Sequence, residues 1–164
     1  MKTGGPINLV GGVDPGKAGW WAILDVATME SVSNGPLPYT GRGRGATLDH
    51  KAVKAVMKKA DAWVIERQQA FPRQGLSSTF TTGEGYGALV ALAAVSGARV
   101  STPRPSEWTK EAFKGVAGSG KTRNVLAAAR MFPNLNLTPG RRTKPCDGLA
   151  DAALLALYGK RIFC

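Results

Sequence analysis

The chain has 164 residues, 43% of them hydrophobic, and 22 Lys plus Arg against 11 Asp plus Glu give a formal net charge of +11. That is enough chain and apolar content for one domain with its own core, and it excludes a disordered tail. A pI near 10.1 points to a polyanionic partner, nucleic acid first and an anionic membrane surface second; no apolar run approaches the ~18 residues that span a bilayer, so no membrane role is expected.

In chain order, Ile7 to Val13 reads as a buried strand that delivers Asp14 into the turn Pro15-Gly16. Gly19 to Val26 is its hairpin neighbour and Met29 to Ser33 a third strand. Asp14 has two readings at this point: turn chemistry, or a carboxylate held open at a strand end for a metal ion or phosphate. The Gly/Pro-rich stretch from Gly35 to Gly45 carries Arg42 and Arg44, which suit either phosphate contact or a solvated loop. Thr47 is expected to cap a helix through Lys59. Ala62 to Ile65 is a second short apolar run, again ending in an acid, Glu66. After the loop from Arg67 to Gly75, a long helix is predicted over Leu76 to Val95. Gly83, Gly85 and Gly87 lower its propensity unless another backbone packs there. Its second half, from Ala88, is apolar on nearly all sides, as expected if it is deeply buried or shared with a partner chain.

Ala98 to Thr102 reads as a strand, Pro105 to Phe113 as a helix and Thr122 to Phe132 as another. The loop from Pro133 to Pro145 holds Arg141, Arg142 and Lys144. Asp147-Gly148-Leu149-Ala150-Asp151 opens a last helix through Tyr158, with its two acids one turn apart on one face. Three early strands joined by short turns, then strands alternating with helices, predict an α/β domain with a mixed sheet flanked by helices. Cys146 and Cys164 with the single His50 make neither a disulfide framework nor a zinc set, and a reducing compartment is the default.

Gly115 to Thr122 matches the letters of a nucleotide-binding phosphate loop, G-x-x-x-x-G-K-[ST]. That loop works when a buried strand enters it and a helix leaves it, so that the amides surround the phosphates. Ser106 to Lys114, just upstream, is polar and amphipathic, which argues against a nucleotide hydrolase. A glycine loop with Lys121 at a helix start remains a good site for a phosphate, including one in a nucleic-acid backbone.

Judged singly, each acid has a plain explanation: a turn for Asp14, a salt bridge for Glu66, an N-cap for Asp147 and a favourable first-turn charge for Asp151. Together they form a pattern. If the strands bearing Asp14 and Glu66 lie side by side and the last helix crosses their ends, four carboxylates converge and repel. The remedy is a divalent cation, and oxygen-only ligands suit Mg²⁺ or Mn²⁺. Two such ions about 4 Å apart stabilise in-line displacement at phosphorus. In a strongly basic chain this set points to a nuclease.

Val13-Asp14-Pro15-Gly16, then Val64-Ile65-Glu66, then Asp147 to Asp151 resemble the acidic motifs of the RuvC family of Holliday junction resolvases. Gln69 to Phe80 with Gly83 to Gly87 is similar to its bacteriophage members, and plastid resolvases share much of the pattern. The resemblance spans about Leu9 to Lys160. The last two acids stand four apart here, as in the phage and plastid pattern, where three is usual in the bacterial enzymes.

The resemblance implies a ribonuclease-H-like fold with a five-stranded mixed sheet, residues 1–164 as one nuclease domain, a homodimer, and metal-dependent paired nicks at four-way DNA junctions. Asp14, Glu66, Asp147 and Asp151 would then bind two Mg²⁺ ions, with Mn²⁺ as substitute. Lys121 would stand near the scissile phosphate, with Lys110 a second match. Phe71 is either a base-stacking residue or a core anchor for its loop. Arg42, Arg44, Arg73, Gln74, Lys114, Arg123, Arg141, Arg142 and Lys144 are the expected DNA contacts, and the apolar end of the long helix the dimer contact. The expected location is the bacterial or phage-infected cytoplasm, or a plastid after removal of a transit peptide. The alternatives are a non-cleaving branched-DNA-binding module, a nuclease of this fold acting on RNA–DNA hybrids, and the nucleotide hydrolase.

Overall fold

A computed structural model describes residues 5–164, apart from the side chains of Arg44 and Glu111. The phosphate contact expected at Arg44 therefore falls outside the described residues. The strands β1 (Leu9–Asp14), β2 (Trp20–Asp25) and β3 (Ser31–Pro36) form an antiparallel meander. β6 (Ala62–Ile65) and β7 (Arg99–Ser101) add to it in parallel, giving the order β3-β2-β1-β6-β7. This is the mixed five-stranded sheet expected from the sequence. Two short strands, β4 (Tyr39–Thr40) and β5 (Thr47–Leu48), pair separately.

Five helices flank the sheet: α1 (His50–Met57), α2 (Leu76–Val95), α3 (Pro105–Ala112), α4 (Gly120–Met131) and α5 (Asp147–Phe163). Side chains alternate along each strand, so each face of the sheet has its own core. Trp21, Ile23, Trp63 and Ile65 pack with Val53, Met57, Leu89 and Ala93 of α1 and α2. Trp20, Ala22, Leu24 and Val64 pack with α4 and α5. Each fully buried large side chain contributes roughly 1.5–3 kcal/mol.

Helix α5 lies directly on β1 because small residues let the backbones touch. A Cβ at Gly12 would stand 2.0 Å from the carbonyl oxygen of Ala152, and one at Gly159 would stand 2.6 Å from Val10 and Val64. No rearrangement of a side-chain tip relieves a collision with backbone, so this close approach requires glycine at 12.

Several boundaries differ from expectation, each for a local reason. β3 starts at Ser31 rather than Met29, because the Asp25 carboxylate accepts the amides of Ala27 and Thr28 and Met29 sits at φ +63° in the turn that follows. The cap of α1 is Asp49, which accepts the Ala52 amide; Thr47 is instead paired with Thr40 in the small hairpin. α4 starts at Gly120 and α5 runs on to Phe163.

Helix α2 has its expected limits but is not deeply buried: only Leu89 and Ala93 are, while Leu76 is 90% exposed, Phe80 73% and Val95 70%. Among the described residues nothing lies within 4 Å of a Cβ built at Gly83, Gly85 or Gly87, so no described backbone packs there. Among the described residues no helix is long and apolar enough to cross a membrane.

Candidate active site

Asp14 and Glu66 end neighbouring parallel strands. Val13 pairs with Ile65, and the Glu66 amide donates to the Val13 carbonyl at 3.1 Å, so the two acids leave the sheet side by side. The turn after Asp14 depends on glycine at two positions. Gly16 adopts φ +124°, which few other residues take without strain. Gly19 donates to the Gly16 carbonyl at 2.9 Å, and a Cβ on Gly19 would stand 2.2 Å from the Asp14 carbonyl oxygen.

The first turn of α5 comes over these strand ends. Gly148 brings it against the Asp14 side chain, where a Cβ at 148 would be 3.0 Å from Oδ2. α4 lies beside α5 and addresses both of its acids. Lys121 Nζ stands 2.5 Å from Asp147 Oδ2, and one turn on, Asn124 Nδ2 donates to Asp151 Oδ1 at 2.5 Å. α3 addresses Glu66, whose Oε1 accepts the Trp108 indole N–H at 3.1 Å.

The electrostatics show the four acids acting on one another. The Asp14 carboxyl is pushed up to about 8, first by burial and then by the charges of Asp151, Glu66 and Asp147. Asp151 is pushed up to about 6, by burial first, with the Asn124 hydrogen bond partly opposing and Glu66 and Asp147 adding to the rise. Burial raises Glu66 against the opposing Trp108 bond. Asp147 goes the other way, because the Lys121 hydrogen bond favours its charged form. The strand ends bearing Asp14 and Glu66 do lie side by side, and the first turn of α5 does cross beside Asp14, as the sequence-based expectation required.

Among the described residues no group of three or more acidic, imidazole or thiolate side chains is preassembled as a metal cage. The donor set is nonetheless of the right chemistry for a hard divalent cation. It is carboxylate only, and in three members, Asp14, Glu66 and Asp151, burial first of all holds the pKa above the ordinary value.

Beside the site, a groove of about 610 Å³ runs from Pro15, Gly16 and Lys17 to Ser77, Thr81 and Tyr86 of α2. Phe71, on the loop leading to α2, is 62% exposed, so its core-anchor reading does not hold. Gln74 organises that loop: its Oε1 accepts the Phe71 amide at 3.1 Å. Arg73 is exposed at φ +68°. Arg42, Lys110, Lys114, Arg141, Arg142 and Lys144 are all exposed, with Arg142 5.5 Å over the Trp20 ring. Arg123 differs. Its guanidinium donates to the carbonyls of Val116 and Phe113 and stacks 4.8 Å over the Phe113 ring, so it ties α4 to the preceding loop.

The segment entering the Gly115–Thr122 loop is helix α3 followed by a turn. The strand–loop–helix geometry that a nucleotide phosphate loop needs is absent there. Sequence reading missed Asn124, Gly148 and the indole bond of Trp108. Only the last left a signal: a buried tryptophan needs an acceptor for its N–H.

No known protein-family model matches the sequence, and none of the curated proteins does. Solved structures do. RuvC of Thermus thermophilus in complex with a Holliday junction substrate superposes with a TM-score of 0.63 at 19% identity, covering 93% of this chain and 95% of that one. The chain has the RuvC fold. A further Thermus thermophilus RuvC structure gives a TM-score of 0.56 at 18% identity, with 94% and 96% covered. The ribonuclease-H-like architecture expected from the acidic motifs is thus the architecture found, over nearly the whole length of both chains.

Proposed function

We propose that this chain is a divalent-metal-dependent endonuclease that resolves four-way DNA junctions, acting as a homodimer with residues 1–164 as one nuclease domain. The observation that carries this reading is the placement of Asp14 and Glu66 at the ends of the adjacent parallel strands β1 and β6, with the first turn of α5, which bears Asp147 and Asp151, packed against Asp14. The RuvC fold supports it, since the neighbour of the same fold is seen with a Holliday junction. A net charge of +11 supports a polyanionic substrate.

The four acids are the residues that would hold Mg²⁺ or Mn²⁺, two ions per site. Such ions supply charge for the attacking and leaving oxygens of phosphodiester hydrolysis. The chain's own contributions are positional. The Pro15-Gly16 turn carries the chain away from the strand end that bears Asp14. Lys121 stands at the edge of the acid set, 85% exposed along its side chain, where it meets developing negative charge on the scissile phosphate. The exposed Phe71 stacks on a base at the branch. The exposed cations Arg42, Arg73, Lys110, Lys114, Arg141, Arg142 and Lys144 follow the backbones of the arms. The exposed apolar face of α2 meets its copy in the dimer.

The test is incubation with a synthetic four-way junction, a linear duplex and an RNA–DNA hybrid in Mg²⁺ or Mn²⁺. Symmetric nicking of the junction, lost in Asp14→Asn, is the expected result. Junction binding without nicking in either ion makes the chain a silent binding module, and preferential cleavage of the hybrid makes it a nuclease of another substrate class.

A further inference from the structure

Each of the three helices around the candidate site is connected to an acid, and the chemistry of the connections differs. Asp147 meets the ammonium of Lys121. Glu66 and Asp151 meet neutral N–H groups, from the Trp108 indole and the Asn124 amide. Asp14, on β1, is contacted through space by the other acids and packed against Gly148.

A carboxylate among three others tends to rotate away from its neighbours. A cationic partner stops that rotation but also neutralises the acid, and so competes with any metal ion for it. A neutral donor fixes one oxygen, leaves the negative charge in place and leaves the second oxygen free. Asn124 takes Oδ1 of Asp151 and Trp108 takes Oε1 of Glu66, so each acid keeps one oxygen without a bond to its holder.

Both donors are themselves fixed. Trp108 is 2% exposed and meets Phe113 edge-on with ring centroids 6.1 Å apart. Asn124 is half-buried on α4, one turn after Lys121 and next to Arg123, whose guanidinium anchors this part of the helix to the preceding loop.

Resting on the nuclease reading above, we infer that Trp108 and Asn124 are positioning residues for metal binding. Through neutral hydrogen bonds they fix one oxygen each of Glu66 and Asp151 and leave the second for a cation, while Lys121 keeps Asp147 paired until substrate arrives. The inference divides the acids into two functional pairs. Glu66 and Asp151 are pre-set for the cation, and Asp147 is a ligand only after Lys121 leaves it.

The test is Mn²⁺ binding followed by electron paramagnetic resonance on the full chain without DNA, which reads the site apart from cleavage. Trp108→Phe keeps an aromatic side chain and removes the N–H with the five-membered ring; Asn124→Leu keeps the approximate shape and removes the amide. Each is expected to weaken Mn²⁺ binding about tenfold or more, as loss of a partner that orients a metal ligand does. Lys121→Met, which frees Asp147, is expected to raise Mn²⁺ affinity, the opposite direction. Melting temperatures of the variants confirm folding. Wild-type affinity in Trp108→Phe and Asn124→Leu, with the wild type binding Mn²⁺, overturns this inference and leaves the nuclease reading standing. A wild type that binds no Mn²⁺ and does not cleave overturns both.

Discussion

Gly148 and Asp14 touch: the first turn of the last helix sits so close to the strand-end carboxylate that a single methyl group at 148 would come within 3.0 Å of Oδ2 and of the Trp20 ring. Gly148→Ala therefore separates stability from function. Alanine raises helix propensity by about 1 kcal/mol, which offsets the few tenths of an ångström by which the Asp14 carboxylate, the Trp20 ring and the Ala18 carbonyl, 3.0–3.3 Å away, must give. The melting temperature is expected to stay close to wild type. Cleavage of a four-way junction is expected to fall by roughly ten- to a hundredfold, because displacement of an acid at the reacting centre has that cost. Unimpaired cleavage by a folded Gly148→Ala protein would show that this contact does not set the Asp14 position.

The stability of the metal-free protein should depend on pH with a definite sign. Asp14 binds its proton more tightly folded than unfolded, with its pKa raised from 3.8 to about 8, and Asp151 likewise to about 6. The folded state then holds more protons than the unfolded one between these values, so stability falls as pH rises. The contribution is fully present below about pH 4 and is lost progressively up to about pH 8. The melting temperature measured in chelator is expected to drop between pH 5 and pH 8 by more than in Asp14→Asn. Added Mg²⁺ or Mn²⁺ should flatten the wild-type curve, since a cation takes over the proton's role. A wild-type slope equal to that of Asp14→Asn contradicts the coupling.

Lys121→Ala removes an exposed ion pair. Exposed pairs contribute little to folding, so melting should not change. Junction cleavage should fall by about 10²-fold or more if the ammonium meets charge that develops at phosphorus. The same variant addresses the nucleotide-hydrolase reading, because the wild type is expected to show no binding of ATP or GTP for it to lose.

The apolar outer face of α2 is the expected self-contact. Ala91 and Val95 lie one turn apart on it and are exposed in the single chain. Ala91→Glu would place a charge in a desolvated interface, at a cost of several kcal/mol. Analytical ultracentrifugation is expected to give a dimer for the wild type and a monomer for the variant, with single nicks replacing paired ones. A monomeric wild type assigns this face to another partner.

The strands and acids were legible because their signals are local. Two apolar runs each end in a carboxylate, and a helix opens with two more acids at helical spacing. The layout of the sheet followed from short connections early in the chain and helical ones later. The position of β3 was not legible, since it depends on Asp25 folding its side chain back onto the amides of Ala27 and Thr28. The hairpin partner of Thr47 is seven residues away and overrode its value as a cap. Arg123 reads as one more cation in a basic chain, and only packing reveals that its charge is turned onto two carbonyls. Asn124 had no sequence signal at all, because its partner, Asp151, lies 27 residues on.

Helix α2 is two halves of unequal fixity. Leu89 and Ala93 anchor its end against α1 and the sheet, whereas residues 76–87 carry three glycines with no neighbouring atom among the described residues in their place and leave Leu76 and Phe80 to solvent. Each glycine costs the helix up to about 1 kcal/mol relative to alanine. Amide hydrogens from Thr79 to Gly87 should consequently exchange with deuterium far sooner than those from Leu89 onward, by local opening rather than global unfolding. The segment bordering the groove and leading from Phe71 is thus the part of the fold that a branched substrate orders most cheaply, and slowed exchange there on junction binding would record it.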